Sequence, residues 1–221
     1  VTLISIGTSN FNLDASSETL LLENDPDLKF YRDTTETYGS TDFLIVTVTP
    51  DISIFEKSSI ETLKQLTDKL LKIEAIESAL SLLDVPLIES SEELSISEVA
   101  DQVTTLDNDD PDLVKAERIF SSNEVYKNLL ISEDLRTTAI QLTLKRNLYY
   151  ENLLEERYAL YDDISSNNSV EIENINERIK KERLEISKKE RALVEEIRSV
   201  LKEYAFFGEL FLGGASMITV D

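Results

Sequence analysis

Residues 137–146 read TTAIQLTLKR and alternate without a break: Ile140, Leu142 and Leu144 on one side, Gln141, Thr143 and Lys145 on the other. A two-residue period of this length belongs to a strand with one face in a core and the other in water. Such a strand needs an apolar layer against one side of its sheet, and few layer arrangements supply one.

Other segments supply the partners. FLIVTVTP (43–50) is a β-branched run closed by proline and reads as a buried strand. Ser58-Ser59-Ile60-Glu61 has the spacing of a capping box, and Ile60, Leu63, Leu66, Leu70 and Ile73 then mark an amphipathic helix. IESALSLLDVP (76–86) reads as a second strand and FGELFLGG (207–214) as the last. Residues 148–164 read as helix, SSNNS (165–169) as a break, and about 171–204 as a long helix. The order βαββαβ is that of an α+β, ferredoxin-like split βαβ sheet, with strands at 43–49, 77–84, 138–145 and 208–212 and helices on one face.

Two further segments flank or interrupt this core. In 15–40, Asp25-Pro26 reads as an N-cap with proline in the first turn; Leu28, Tyr31, Thr35 and Tyr38 share a face, and Gly39 ends the run. DPDL returns at 110–113, before Val114, Ile119 and Phe120. Residues 89–112 are polar and acidic and read as an excursion from the core, with a short helix near Glu98.

Composition removes whole classes of chemistry. There is no Cys and no His, hence no thiol nucleophile, disulfide, Cys/His zinc site or histidine triad. Lys plus Arg is 22, Asp plus Glu is 44 and the formal charge is −22, which repels phosphate backbones and argues against nucleic acid as a partner. None of the five glycines forms a phosphate-binding loop. DNDDPD (107–112) lacks the glycine of a calcium loop and carries Pro111 at a ligand position, so helix capping is the better reading. Glu155-Glu156 and Asp162-Asp163 are adjacent carboxylates of the sort an acidic chain produces by chance. KRNLYY (145–150) reads as a strand end entering a helix rather than a stacking platform. No residue is assigned a catalytic, cofactor-binding or metal role, no cofactor is expected, and the chain reads as a non-enzyme.

In 176–199, Glu177–Lys181 and Glu185–Lys189 have helical ion-pair spacing, and Ile172, Ile175, Ile179, Ile186 and Leu193 fit a heptad. Glu182 and Lys189 interrupt the alternate seam, so an intramolecular hairpin with 148–164 is the simpler arrangement and a coiled coil between copies the other.

LDASSETLLLENDPDLKFYRDTTETYGS (13–40), FLIVTVTP (43–50), SLLDVPLI (81–88), SEDLRTTAIQLTLKR (132–146) and ELFLGGASMI (209–218), in this order and spacing, resemble the first extracytoplasmic domain of resistance-nodulation-division (RND) superfamily exporters, in the branch with MMPL and Patched-like membrane domains. The resemblance implies a periplasmic, porter-like domain of an ion-gradient-driven inner-membrane transporter; the residues themselves leave two other classes open, a free-standing ligand- or lipid-binding module and a helical interaction scaffold that works through its long helix. The domain would form part of the path of hydrophobic or lipid-like molecules. The resemblance also implies that VTLISIG is the tail of a first membrane span and GGASMITVD the run-in to a second, so that the chain is a soluble fragment cut at both ends. The partners implied are the parent's own transmembrane helices, its second extracytoplasmic domain and a lipid or hydrophobic small molecule, with oligomerisation open. The family's ion-coupling carboxylates lie in membrane helices, so no functional residue carries over. The domain plan is 1–40 as membrane-proximal lead-in and helix; 41–88, 135–147 and 200–216 as porter core; 89–134 as acidic helical insertion; and 148–199 as helical hairpin insertion. The chain near Asn12 and near Ala215 is expected to leave the domain side by side.

Overall fold

The computed structural model describes Phe30, Thr34 and residues 42–87, 104–123, 126–127, 129–162 and 168–214. The chain divides into two units, 1–40 and 41–221. In the first, Phe30 and Thr34 are helical, and the Thr34 hydroxyl donates to the Phe30 carbonyl at 2.8 Å. The capping expectations at Asp25, Leu28, Tyr31, Thr35, Tyr38 and Gly39, the helix near Glu98, and the placement of Asn12 and Ala215 fall outside the described residues.

The second unit is α+β. Its described elements run β1 (Phe43–Pro50), α1 (Lys57–Leu70), β2 (Ile76–Leu80), α2 (Leu113–Ser122), β3 (Thr138–Leu144), α3 (Leu148–Asp162), α4 (Ser169–Glu203) and β4 (Gly208–Gly213). The four strands form one sheet in the order β2-β3-β1-β4, every neighbouring pair antiparallel. Pro50 closes a central strand without leaving a gap. Even-numbered β1 positions bond toward β3, as the Leu144 N–H to Asp42 carbonyl bond shows, and the β1–β3 register ends at Val48.

The alternation sorts the sheet into two faces. Leu44, Val46 and Val48 of β1 and Ile140 and Leu142 of β3 are buried on one side. They join Ile60, Leu63, Leu66 and Leu70 of α1 and Leu193, Ile197, Val200 and Leu201 of α4 in one core. α2 adds Ala116, Ile119 and Phe120, and Phe120 lies between Phe55 and Tyr126 at centroid distances of 5.9 and 5.2 Å. β1 is therefore half-buried rather than buried. Thr at 47 and 49 is the sign of this in the sequence, because a strand covered on both sides has little use for alternate hydroxyls.

Several local expectations change. Ser58 and Glu61 do not form a capping box. The helix starts at Lys57, and the Ser58 carbonyl already accepts from the Thr62 hydroxyl. The buried Ser59 hydroxyl instead donates to the Ser53 carbonyl at 2.7 Å, and the Ser53 hydroxyl accepts from the Phe55 N–H. β2 ends at Leu80 because Asp84 folds the next residues into a turn, its carboxylate accepting from the N–H and hydroxyl of Ser81. The 89–112 segment is not wholly an excursion: Leu106 is fully buried in the core, and the Leu87 N–H bonds the Thr104 carbonyl at 2.8 Å. The cap in DPDL is its second aspartate: Asp112 accepts from the Lys115 N–H, leaving Pro111 outside the helix and Val114 exposed.

α3 and α4 pack on each other through a separate small cluster, Leu153, Ile175 and Ile179, flanked by Tyr150, Leu154 and Leu160. α3 and α4 are thus packed side by side within one chain. α4 has 35 residues, about 52 Å of helix, so its C-terminal part lies on the sheet core while its N-terminal part packs against α3. Glu182, which spoils the heptad seam, accepts a hydrogen bond from Asn147 at 3.0 Å. Glu185 pairs with Lys188, three residues on, rather than with Lys189. Glu177–Lys181 is not among the ion pairs of the described residues.

Candidate functional site

The sheet side away from the helices is the surface that stands out. By register it carries Ser78 and Leu80 of β2, Ala139, Gln141 and Thr143 of β3, Phe43, Ile45, Thr47 and Thr49 of β1, and Glu209, Phe211 and Gly213 of β4. Of these, Phe43 is 48% exposed, Leu80 48% and Phe211 63%. Ile45 lies between Gln141 and Gly213, and Thr47 between Ala139 and Phe211. A Cβ at Gly213 would have no atom within 4 Å, so the face is flat and open there.

Its charge is as unusual as its exposure. The whole chain is 30% charged, yet Glu209 is the one ionisable residue among these registered positions. Glu209 sits at one end, in the row with Thr49; Lys145 follows β3 at the other end. What remains is aromatic and aliphatic carbon with interspersed hydroxyls and one amide. Single exposed apolar side chains are ordinary on a protein surface, but several on one sheet face with so little charge make it the candidate contact surface. The chemistry available is burial of apolar surface with a few hydrogen bonds.

The sequence candidates do not converge on this face or on one another. Asp107 pairs with Lys64 at 3.7 Å, Asn108 accepts from the N–H and hydroxyl of Thr105, and Asp112 caps α2, so these three residues of DNDDPD serve the surrounding structure. Glu156 pairs with Arg178 at 3.3 Å while Glu155 is exposed on the hairpin; the Asp162 and Asp163 side chains fall outside the described residues. In KRNLYY, Asn147 accepts from the Tyr150 N–H at the start of α3 and Arg146 pairs with Glu151, the strand-to-helix junction expected. Among the described residues no three His, Cys, Asp or Glu side chains group as a metal site would require.

A concavity lies at the β4-start end of the sheet, lined by Pro50, Ile52, Phe55, Glu117, Asp134 and Arg136. The turn beside it is built by Ser132, whose hydroxyl donates to Asp134 at 2.6 Å and accepts from the N–H of Thr137. That hydroxyl, then the Arg136 N–H, hold the Asp134 carboxyl below its ordinary range. Leu135 takes φ +58°, a left-handed conformation that few leucines adopt.

Sequence reasoning missed the outer face because it read the β-branched run 43–50 as a buried strand, with no open side. Phe43, Ile45, Thr47 and Phe211 become a set only through pairing, which periodicity within a strand does not give. The chain matches no protein-family model, no curated protein and no solved structure. Among the described residues no helix is long and apolar enough to cross a membrane.

Proposed function

We propose that the chain is the extracytoplasmic, porter-like domain of an ion-gradient-driven membrane exporter of the RND superfamily, in its MMPL/Patched-like branch. In this reading the domain works by binding, without turnover, and its core is ferredoxin-like. The order β2-β3-β1-β4 supports that core: β3 sits between β1 and β2, and β1 between β3 and β4, as two interleaved βαβ units require. The observation that carries the functional reading is the outer face, on which Glu209 is the one ionisable residue among the registered positions. A lipid-like molecule needs apolar area with few fixed charges, and Phe43, Ile45 and Phe211 offer area while Thr47, Thr143 and Gln141 offer hydrogen bonds to a polar end.

Two measurements test it. The full-length gene product, fractionated from its native cell, should remain in the membrane pellet through alkaline carbonate washing; recovery in the soluble fraction rejects the transporter. Separately, N-phenyl-1-naphthylamine should gain fluorescence on this domain. Thr47→Glu and Phe211→Glu should remove most of that gain without lowering the melting temperature. An undiminished signal in both variants rejects the outer face as the contact surface.

A further inference from the structure

The two edges of the sheet are not alike. Native sheets protect their edges with short strands, bulges, proline and charge, because an unpaired edge is a template for another strand. β2 is protected in this way: it has five residues, its register with β3 shifts between Ile76 and Ser78, and Glu77 stands exposed at the shift. β4 has none of these devices beyond Glu209. Its six residues, GELFLG, pair with β1 in unbroken register and contain no lysine, proline or bulge. Among the described residues no strand pairs with its other edge.

The direction of the free backbone groups follows from one bond. The Asp51 N–H donates to the Phe207 carbonyl at 3.0 Å, in the same register as the β1–β4 pairs. Antiparallel bonding alternates every second residue, so Glu209, Phe211 and Gly213 bond toward β1. The N–H and C=O groups of Leu210 and Leu212 then point to the open edge.

The sequence Gly208-Glu209-Leu210-Phe211-Leu212-Gly213-Gly214 is nearly symmetric about Phe211. We propose that β4 is the docking edge for a second copy of this chain, the two β4 strands pairing antiparallel about Phe211. Leu210 then exchanges backbone bonds with Leu212 of the other copy, using the groups that point outward. Phe211 meets its own counterpart in the close, non-bonded position, where aromatic pairs gain most from contact. Glu209 faces Gly213, whose missing side chain leaves open space. The two Glu209 Cα atoms stand about 14 Å apart at ~3.4 Å per residue, well beyond the ~8 Å screening length of physiological salt. The symmetry axis is normal to the sheet, so the outer faces of both copies lie on one side and merge. The association closes at two because it uses up the unprotected edge of each copy and leaves only β2.

The chain has no cysteine, so introduced thiols report register directly. In the full 221-residue chain, sedimentation equilibrium from about 1 μM to about 1 mM should give a monomer–dimer isotherm. Added salt should shift it toward dimer, because two chains of charge −22 repel. Phe211→Lys should abolish the dimer at unchanged melting temperature. Under mild oxidation Phe211→Cys should form a disulfide-linked dimer, Glu209→Cys alone should not, and Glu209→Cys mixed with Gly213→Cys should. The N–H groups of Leu210 and Leu212 should gain exchange protection as concentration rises. A monomer at all concentrations overturns the proposal, as does protection of those two amides independent of concentration, which would mean that a segment of the same chain covers the edge. Dimerisation that survives Phe211→Lys, or Glu209→Cys linking as fast as Phe211→Cys, overturns it equally.

Discussion

Arg183 donates from Nε to the hydroxyl of Tyr150 at 2.8 Å, joining α4 to α3 just after β3 hands the chain to the hairpin. One residue away on α4, Glu182 accepts from Asn147 at 3.0 Å. These bonds sit between two apolar clusters that do not merge: the sheet core on one side, and Leu153, Ile175 and Ile179 on the other.

Tyr150→Phe removes one partly buried bond at this foot and should loosen the hairpin by about 1 kcal/mol. The amides of α3 should exchange about five times faster, while those of β1 and β3 keep their rates. Equal acceleration in sheet and hairpin would show that the two unfold as one unit.

Ile179→Ala empties part of the small cluster, a truncation of the kind that costs about 2–4 kcal/mol. The loss should stay local, so limited proteolysis should speed up between 148 and 190 while the sheet stays intact. Leu142→Ala, in the main core, should instead lower the melting temperature of the whole unit. A fall in global melting temperature for Ile179→Ala as large as for Leu142→Ala would contradict the two-cluster picture.

How much of this was legible in the sequence differs by element. The 140/142/144 alternation located β3, and the Ile60-to-Leu70 spacing located α1, because each pattern is set by burial against one layer. The start of α1 differs because Ser58 has the spacing of a cap, whereas Glu56 stands at the N-cap without a side-chain bond and the first turn is tied back by the Ser59 hydroxyl to the Ser53 carbonyl, six residues upstream and outside any local motif. The length of β2 was overestimated because Leu82 and Leu83 are buried in a turn held by Asp84, and buried leucines look alike in a strand and in a turn. The outer face was not legible, since its members come from four strands and only the register brings them together.

Glycine supplies a sharper contrast on β4. Gly208 has φ +145°, and a Cβ there would lie 2.1 Å from the Thr49 carbonyl oxygen and 2.8 Å from the Pro50 Cα, both backbone atoms that have no room to move. Gly208→Ala should destabilise by more than about 2 kcal/mol. Gly213→Ala meets nothing and should leave stability unchanged or raise it by about 0.5 kcal/mol. Chemical denaturation of both variants checks the pair, and comparable losses would mean that the β1–β4 register is wrong.

Acid titration should separate two carboxylates of opposite sign. Glu190 on α4 is pushed above its ordinary value of 4.5, first by burial and then by the charge of Asp42 at the entry to β1. The folded chain therefore holds that proton more tightly than the unfolded chain, and stability from this group falls as pH rises from about 4.5 through the raised native value. At neutral pH the charge is a burden, so Glu190→Gln should raise the melting temperature slightly, and the gain should vanish in acid, where both states are protonated. Asp134 runs the other way. The Ser132 hydroxyl, then the Arg136 N–H, lower its value from 3.8, so its contribution is present at neutral pH and lost as pH falls through the lowered native value. Asp134→Ala should therefore lower the melting temperature at pH 7, with the deficit shrinking toward pH 2. Melting curves of the parent and both variants across this range decide the matter. A Glu190→Gln gain that persists undiminished in acid would show that relieved packing, not relieved charge, is its source.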